Sequence, residues 1–320
     1  MKKLFALFLS LAMVLSLAAC GGGNKPADPA PAESAAPAAS LGTVGLSVST
    51  MENPFFVTLA DGAKSAAADA NIDLITTDAG DDAAKQNADI EELIGKNIDV
   101  LIVNPVDSDA VASAVQAAQE KGIKVIAVDR KVNGVDVDCS ISSDNHDGAA
   151  MATEYIINTL GEDAKVAEIT GTPNASATIE RGEGFRSVIL PGEDIVNGDG
   201  TAVVSIPSEC GNFSREDGKA AMEAILAATP DVQAVFAQND EMALGAIEAI
   251  GDKDIMIVGF DATEDGLAAI KDGKMAATVA QRPELMGETA VETAAKLLNG
   301  KNILKDIPVD VHLVTAENAG

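Results

Sequence analysis

The chain has 320 residues, 47% of them hydrophobic, and its 50 acidic and 22 basic residues give a formal charge of −28 at pH 7. That amount of apolar sequence can bury a large core, and at a usual size of about 100 to 200 residues per domain it predicts two lobes. So strong a negative charge excludes nucleic acid as a plausible partner, because phosphates would repel the chain.

The first 19 residues have the pattern of an export signal. Lys2 and Lys3 form a basic start, and the apolar run over 4–17 is shorter than the ~20 residues of a membrane-spanning helix. The run ends in small residues before Cys20, an arrangement that resembles a bacterial lipobox. We therefore predict that 1–19 is a signal peptide and that Cys20 is acylated; an ordinary secretory signal with a chance cysteine is the alternative.

Residues 20–40 are rich in Gly, Pro, Ala and Ser, a composition that cannot form a packed core. The segment is predicted to be a flexible tether that begins at the lipid. Signal and tether together predict an extracytoplasmic protein held at the outer face of the cell membrane, with the lipid as its only contact with that membrane.

From residue 41 onward, apolar strand-like runs alternate with helix-like segments through short connections. Continuous apolar strands are typical of parallel sheets that helices cover on both faces, so the fold class is predicted to be α/β. The pattern repeats after His146, which predicts two similar lobes. One helix is predicted over 108–121, with Gly122 past its end. The strands are predicted over 43–48, 72–77, 100–103, 124–128, 166–170, 202–206, 234–237, 255–260 and 276–280.

Polar and aromatic side chains follow the first predicted strand at a turn. Ser49 and Asn53 come after the strand, and Phe55 and Phe56 stand beside them. In open α/β sheets, ligands bind at the carboxyl ends of the strands, so this turn is a candidate binding site. The two phenylalanines suit the hydrophobic core equally well, and the stretch by itself leaves both roles open.

Planar polar groups also end most of the later strands. In chain order they are Asp129 and Arg130, Asn239, Asp261 and Gln281. A second arginine, Arg181, lies in a helical stretch. If two aspartates and two arginines converge, their formal charges cancel, and their fork geometry suits vicinal hydroxyl groups. A neutral polyol would then fit better than a phosphate or an amino acid.

Aromatic residues are few, with no Trp, one Tyr and eight Phe. Phe213, like Phe55 and Phe56, is predicted at a turn, where phenyl rings can cover the apolar C–H faces of a sugar. The alternative for Phe213 is a hydrophobic plug under its own loop.

The sequence offers little that an enzyme would need. His146 and His312 are isolated, and the sequence has no Gly-x-Ser-x-Gly elbow, no His-Glu-x-x-His helix and no clustered set of Cys and His. We expect no enzymatic activity, no cofactor and no metal site. Cys139 and Cys210 are expected to be free thiols, and the protein a monomer, since no large exposed apolar stripe calls for a partner.

Several blocks of the sequence together carry a family resemblance. They are STMENPFF at 49–56, NPVDSDA at 104–110, VDR at 128–130, ERGEGF at 180–185, DVQAVFAQNDEMALGA at 231–246, VGFD at 258–261 and ATVAQ at 277–281. From residue 41 to its end, the chain resembles the sugar-binding type I periplasmic solute-binding proteins of bacterial ABC importers. The resemblance implies two doubly wound parallel-sheet lobes joined by a hinge of three crossovers. The first lobe would cover 41–143 and 282–310, and the second 144–281 and 311–320.

The resemblance also carries the family's sugar contacts over to this sequence, as hydrogen-bonding side chains and as stacking rings. The former are Ser49, Asn53, Asp129, Arg130, Arg181, Asn239, Asp261 and Gln281, and the latter are Phe55, Phe56 and Phe213. It implies that a D-ribose-like pentose is captured by closure of the hinge and delivered to an ABC permease.

Alternatives to this expectation concern both the ligand and the membrane protein to which the ligand is delivered. The ligand could be a related sugar such as allose or xylose, and the same module could present a sugar or a furanose-like autoinducer to a membrane chemoreceptor. A regulator of the lactose-repressor type would need a basic helix-turn-helix ahead of residue 41, where the signal and the tether lie instead.

Overall fold

The computed structural model describes residues 39–190 and 206–319. The predicted signal peptide, Cys20 and all but the last two residues of the predicted tether lie outside these ranges, as does the strand predicted over 202–206 apart from its last residue. Within the ranges described, no helix combines the length and the apolar character that crossing a membrane requires.

Strands and helices alternate along the described chain. The strands are β1 (Thr43–Val48), β2 (Asp73–Asp78), β3 (Val100–Val103), β4 (Lys124–Val128), β5 (Cys139–Ser143), β6 (Val166–Thr170), β7 (Ser208–Cys210), β8 (Ala234–Ala237), β9 (Met256–Asp261), β10 (Ala277–Ala280), β11 (Asp306–Val309) and β12 (His312–Thr315). The helices are α1 (Pro54–Asp69), α2 (Ala83–Gly95), α3 (Ala112–Glu120), α4 (Asn145–Leu160), α5 (Ser176–Ile189), α6 (Arg215–Ala228), α7 (Asp240–Ile250), α8 (Glu264–Lys271) and α9 (Pro283–Leu298).

The strands form two sheets with the same strand order. The first runs β2-β1-β3-β4-β5-β11 and is parallel throughout. The second runs β7-β6-β8-β9-β10-β12 and is parallel except for β12, which is antiparallel to β10. Every residue of β3, β8 and β10 is buried, as expected of strands covered on both faces. The predicted α/β class and the repeat are both confirmed.

Helices cover both faces of each sheet. On the first sheet, α1 and α9 share a core with one face, and α2 and α3 share a core with the other. On the second sheet, α6, α7 and α8 pack on one face, and α4 and α5 on the other. We call each sheet with its helices a lobe, the first lobe being the one that contains β1.

The chain passes between the lobes three times. It does so between β5 and α4, between β10 and α9, and between β11 and β12. Parallel strands point their carboxyl ends to one edge of a sheet, so the loops after β1, β3 and β4 share an edge of the first lobe. The loops after β6, β8 and β9 share the corresponding edge of the second lobe.

Some local predictions were wrong. The helix predicted from residue 108 begins at Ala112, because Asp107 Oδ1 accepts hydrogen bonds from the backbone N of Asp109 and Ala110, each at 2.8 Å, and so holds a turn there. Strands β5, β7, β11 and β12 were not predicted, because they are rich in polar residues, unlike the core strands. Cys139 and Cys210 are free thiols, as predicted.

Candidate ligand-binding site

A polar cavity of about 250 Å³ lies where the facing edges of the two lobes meet. It is lined by Asn53, Phe55, Phe56, Asp129, Arg130, Ala177, Arg181, Phe213, Asn239, Asp261 and Gln281. In the first lobe this edge is the topological switch point of the strand order, where open α/β sheets bind ligands.

The turn after β1 contributes one amide and two aromatic rings. Asn53 caps α1, since its side-chain oxygen accepts a hydrogen bond from Phe55 N at 2.9 Å, and Pro54 is the first helical residue. The rings of Phe55 and Phe56 meet edge to face with centroids 5.2 Å apart. Both rings belong to the core of the first lobe and also line the cavity, so a position in the core does not exclude contact with a ligand.

The end of β4 contributes an adjacent carboxylate and guanidinium. Asp129 has a positive φ of 65°, a conformation rare for a residue with a side chain and concentrated at functional positions. Its Oδ2 accepts a hydrogen bond from Asn104 Nδ2 at 3.2 Å and lies 3.7 Å from Arg130 Nε. Arg130 Nη1 donates to the carbonyl of Pro105 at 2.9 Å. The buried Nε of the same side chain has no hydrogen-bond partner among the described residues.

The guanidinium of Arg130 lies between rings from both lobes. Its Cζ is 5.1 Å from the ring centroid of Phe56 in the first lobe and 5.1 Å from that of Phe213 in the second. Both distances are within the range of cation–π attraction. The first lobe's cation is therefore enclosed only when Phe213 of the second lobe is in place.

In the second lobe, a carboxylate and an amide are paired at neighbouring strand ends. Asp261 ends β9 with φ of 126° and accepts a hydrogen bond from Gln281 Nε2 at 2.6 Å. Gln281 Oε1 is buried and finds no donor in the part of the chain that the structure describes. The cavity wall thus presents unused hydrogen-bonding capacity from both lobes, which a polar ligand would satisfy.

Arg181 reaches the cavity from the middle of α5 rather than from a strand end. Its Nε donates to Asn145 Oδ1 at 2.9 Å, and its Nη1 donates to the carbonyl of Gln238 at 2.6 Å. The guanidinium stacks on Phe260 at 3.8 Å and lies 4.0 Å from Asp261 Oδ1. Every one of these contacts comes from the second lobe.

Phe213 is held in an unusual backbone conformation. Asn212 and Phe213 both have positive φ, 50° and 60°, and Asn239 Nδ2 donates to the carbonyl of Phe213 at 3.1 Å. Asn239 also caps α7 by accepting from Met242 N at 2.9 Å. A Cβ atom on Gly171 would lie 2.0 Å from the Phe213 ring, so only glycine leaves room for the ring at that position.

Burial dominates the electrostatics of the four charged groups. It raises the pKa of Asp129, against the opposing effect of Arg130, and raises the pKa of Asp261 well above its usual value, against that of Arg181. Burial also lowers the pKa of Arg130 and of Arg181. With all four groups ionised the formal charges cancel, so the site favours an uncharged ligand with many hydroxyl groups over an ion.

Ten of the predicted site residues line the cavity, and Ser49 is not among them. Ser49 is fully buried, its backbone N donates to Asn104 Oδ1 at 3.1 Å, and its hydroxyl has no partner in the described ranges. Its contact with a ligand stays a prediction. Nothing in the sequence points to Ala177, whose small side chain carries no chemical signal. The hydrogen bond between Asn145 and Arg181 has no signal in the sequence either.

Two doubly wound lobes that meet around one polar cavity define the class of two-lobed binding proteins. The family model described as periplasmic binding protein domain matches residues 44–302. The chain therefore belongs to the periplasmic binding protein family, which consists of solute-binding proteins rather than enzymes.

Similar proteins share most of the chain. The ribose import binding protein of Bacillus subtilis (strain 168) is 44% identical over 275 residues, which cover 85% of this chain and 87% of that protein. The ribose import binding protein of Escherichia coli (strain K12) is 43% identical over 278 residues, which cover 86% and 91%. The Caulobacter myo-inositol binding protein, solved with myo-inositol, is similar with a TM-score of 0.80 and 30% identity, over 89% of this chain and 97% of that chain.

Proposed function

We propose that this protein captures a small neutral sugar, a pentose of the D-ribose type, between its lobes and delivers it to an ABC importer. The observation that carries the proposal is one cavity lined by an aspartate and an arginine from each lobe and by three phenylalanine rings. The ribose import binding proteins that resemble this chain at 43–44% identity support the choice of ribose.

Recognition follows from the chemistry of the cavity wall. The carboxylates of Asp129 and Asp261 accept hydrogen bonds from sugar hydroxyl groups, and the guanidinium groups of Arg130 and Arg181 donate to hydroxyl oxygens. The phenyl rings cover the apolar faces of the sugar ring. Because each lobe supplies part of these groups, the sugar makes its full set of contacts only when the lobes meet. Binding therefore shifts the population toward the closed form, which an importer can recognise.

The proposal includes no chemical change to the sugar. Each cavity carboxylate is engaged by an amide of its own lobe, Asp129 by Asn104 and Asp261 by Gln281. This arrangement supports a hydrogen-bonding role for both carboxylates. Nuclear magnetic resonance of D-ribose kept with the pure protein should show unchanged sugar, and a new product signal would favour an enzyme instead.

We also propose that the protein is exported and held at the membrane by a lipid on Cys20. The support is the basic and apolar pattern of 1–19 and the small residues before the cysteine. Cell fractionation should find the wild-type protein with membranes and the Cys20→Ser variant released from them. A variant that stays anchored would contradict the lipid attachment.

Isothermal titration calorimetry with a panel of sugars tests the ligand. The panel is D-ribose, D-allose, D-xylose, D-galactose and D-glucose. We expect the tightest binding for D-ribose. Binding of a hexose without binding of ribose would overturn the ligand while leaving the family unchanged.

A further inference from the structure

Helix α5 carries a cavity arginine, and its first residue and the turn before it make hydrogen bonds that join the two lobes directly. Ser108 N of the first lobe donates to Asn174 O at 3.1 Å, and Ser176 N donates back to Ser108 Oγ at 3.1 Å. Lys131 N donates to Ser176 Oγ at 2.8 Å, and Asn174 Nδ2 donates to Asp107 Oδ2 at 3.1 Å. The start of α5 is thus fixed to the first lobe only while the lobes are together.

Glu180, one turn further along α5, connects the contact between the lobes to the buried Asn145 of the second lobe. Its Oε1 accepts a hydrogen bond from Lys131 Nζ of the first lobe. Its Oε2 accepts a hydrogen bond from Asn145 Nδ2 of the second lobe at 2.9 Å. One carboxylate therefore has a partner in each lobe, and lobe separation would remove the first of them.

Asn145 joins Glu180 to the cavity arginine. It is 2% exposed and begins α4, directly after the first passage between the lobes. Its Oδ1 accepts from Arg181 Nε at 2.9 Å while its Nδ2 donates to Glu180. An amide can accept from a guanidinium through its oxygen and donate to a carboxylate through its nitrogen at the same time; an aspartate here would face Glu180 with a second negative charge. The orientation of this amide is therefore set by both neighbours.

We propose that Lys131, Glu180 and Asn145 form a relay that couples contact between the lobes to the orientation of the Arg181 guanidinium. They are positioning residues, since none of the three lines the cavity. In the closed form Lys131 neutralises Glu180 and leaves Oε2 to orient Asn145, which in turn holds Arg181 Nε. When the lobes separate, the unpaired charge of Glu180 competes with the cavity groups for the adjacent arginine. This inference rests on the proposed function, because it concerns how tightly the sugar is held.

As a purely structural contact, the Lys131–Glu180 pair would matter little. The side chain of Lys131 is 50% exposed, and ion pairs of this kind contribute little to stability. A plain contact between the lobes therefore predicts at most a small loss of sugar affinity when the pair is removed, and that loss would be the same with or without Asn145. The relay predicts a change that depends on Asn145, although Lys131 touches neither Asn145 nor the sugar cavity.

Calorimetric titration with the tightest-binding sugar of the panel, on the full chain, tests the relay. Lys131→Met is expected to weaken binding about three- to fivefold, and Lys131→Arg to restore it. The matched control is Lys124→Met, which removes a similarly exposed ion pair with Asp138 inside the first lobe and should leave affinity unchanged. Asn145→Ala is expected to weaken binding about tenfold, and adding Lys131→Met to it should weaken binding no further. If Asn145→Ala does not fold, Asn145→Leu takes its place, because it keeps the size of the side chain and removes both hydrogen bonds.

Two results would overturn the relay while sparing the proposed function. One is wild-type affinity in Lys131→Met. The other is an equal effect of Lys131→Met with and without Asn145→Ala, since two independent contacts would give additive losses. A wild-type protein that binds none of the panel sugars would overturn the proposed function and the relay together.

Discussion

The two lobes bring an arginine to the same cavity by different means. Arg181 is held entirely by its own lobe, through Asn145, the carbonyl of Gln238 and the ring of Phe260. Arg130 makes one hydrogen bond within its own lobe, and its Nε lies 3.7 Å from the carboxylate of its neighbour Asp129. One of its two contacts with aromatic rings is with Phe213 of the other lobe. Two lobes with the same strand order thus offer two different arginines. Arg181 has its direct contacts within its own lobe, whereas the surroundings of Arg130 are completed only when the lobes close.

A hinged site can thus combine groups that are in place before the ligand binds with groups that are completed only when the lobes close. The direct contacts of Arg181 all lie in the second lobe, and the relay from Lys131 acts on them only through Glu180 and Asn145. The contact of Phe213 with Arg130, in contrast, is made directly between the lobes and exists only in the closed form. Preorganised groups lower the cost of binding, and groups completed on closure make the closed form depend on the ligand. Each prediction below changes one side of this comparison.

The largest effect is expected on the stability of the sugar-free protein. Arg181→Met should lower the free energy of unfolding by about 3 kcal/mol, because it removes the partner of several buried groups. Arg130→Met should lower it by only about 1 kcal/mol, because fewer contacts within its own lobe are lost. Urea denaturation without sugar measures both values. Equal losses would show that the two arginines are held alike.

A second effect concerns the two cavity carboxylates, of which each lobe supplies one. Asp129→Ala and Asp261→Ala should each weaken D-ribose binding by about 2 kcal/mol or more, roughly 30-fold, because each removes an acceptor for sugar hydroxyl groups and leaves a nearby buried arginine without its opposite charge. Both variants should still fold, as circular dichroism would show. If only one of the two variants lost affinity in calorimetry, recognition would belong to a single lobe.

A tenfold effect is expected from a residue that does not line the cavity. Gly171→Ala places a Cβ atom against the Phe213 ring and should displace the ring from Arg130, with about tenfold weaker binding. Gly95→Ala is the matched control, since no atom lies within 4 Å of its added Cβ and its φ is not positive. Unchanged ribose affinity in Gly171→Ala would mean that Phe213 does not act as a cover for the sugar.

The smallest effect is a loss of affinity with falling pH. Burial raises the pKa of Asp129 and Asp261, so each carboxylate takes up a proton at a higher pH than a free side chain would. Protonation removes acceptors that the sugar needs, so affinity is full above these raised pKa values and is lost as the pH falls through them. We expect weaker ribose binding at pH 5 than at pH 7. Asp261→Asn should flatten the upper part of this profile, whereas an unchanged profile would argue against its titration.

The sequence predicted the strand-end part of the site well, for a physical reason. Asp129, Asn239, Asp261 and Gln281 follow apolar runs, and parallel strands must end at one edge, so a linear pattern already places these side chains together. Ser49 follows the same rule, yet the structure buries it beside Asn104 and away from the cavity wall. A strand end fixes the edge of the sheet but not the direction of each side chain.

Contacts between distant segments could not be predicted in the same way. The need for glycine at Gly171 depends on the Phe213 ring, 42 positions away in the chain. The role of Asn145 depends on Glu180 and Arg181, which are brought to it by packing of α4 on α5. The helix predicted from residue 108 started late because a side-chain oxygen of Asp107 competes for the backbone groups of the first turn.

Small-angle X-ray scattering of the purified protein, without and with D-ribose, tests most directly whether one sugar is held by both lobes. A protein whose lobes close on the sugar should show a smaller radius of gyration when D-ribose is added, and the Asp129→Ala variant should show no such decrease. A radius of gyration that stays unchanged in the wild-type protein, at a ribose concentration where calorimetry shows the site to be saturated, would contradict closure around the sugar.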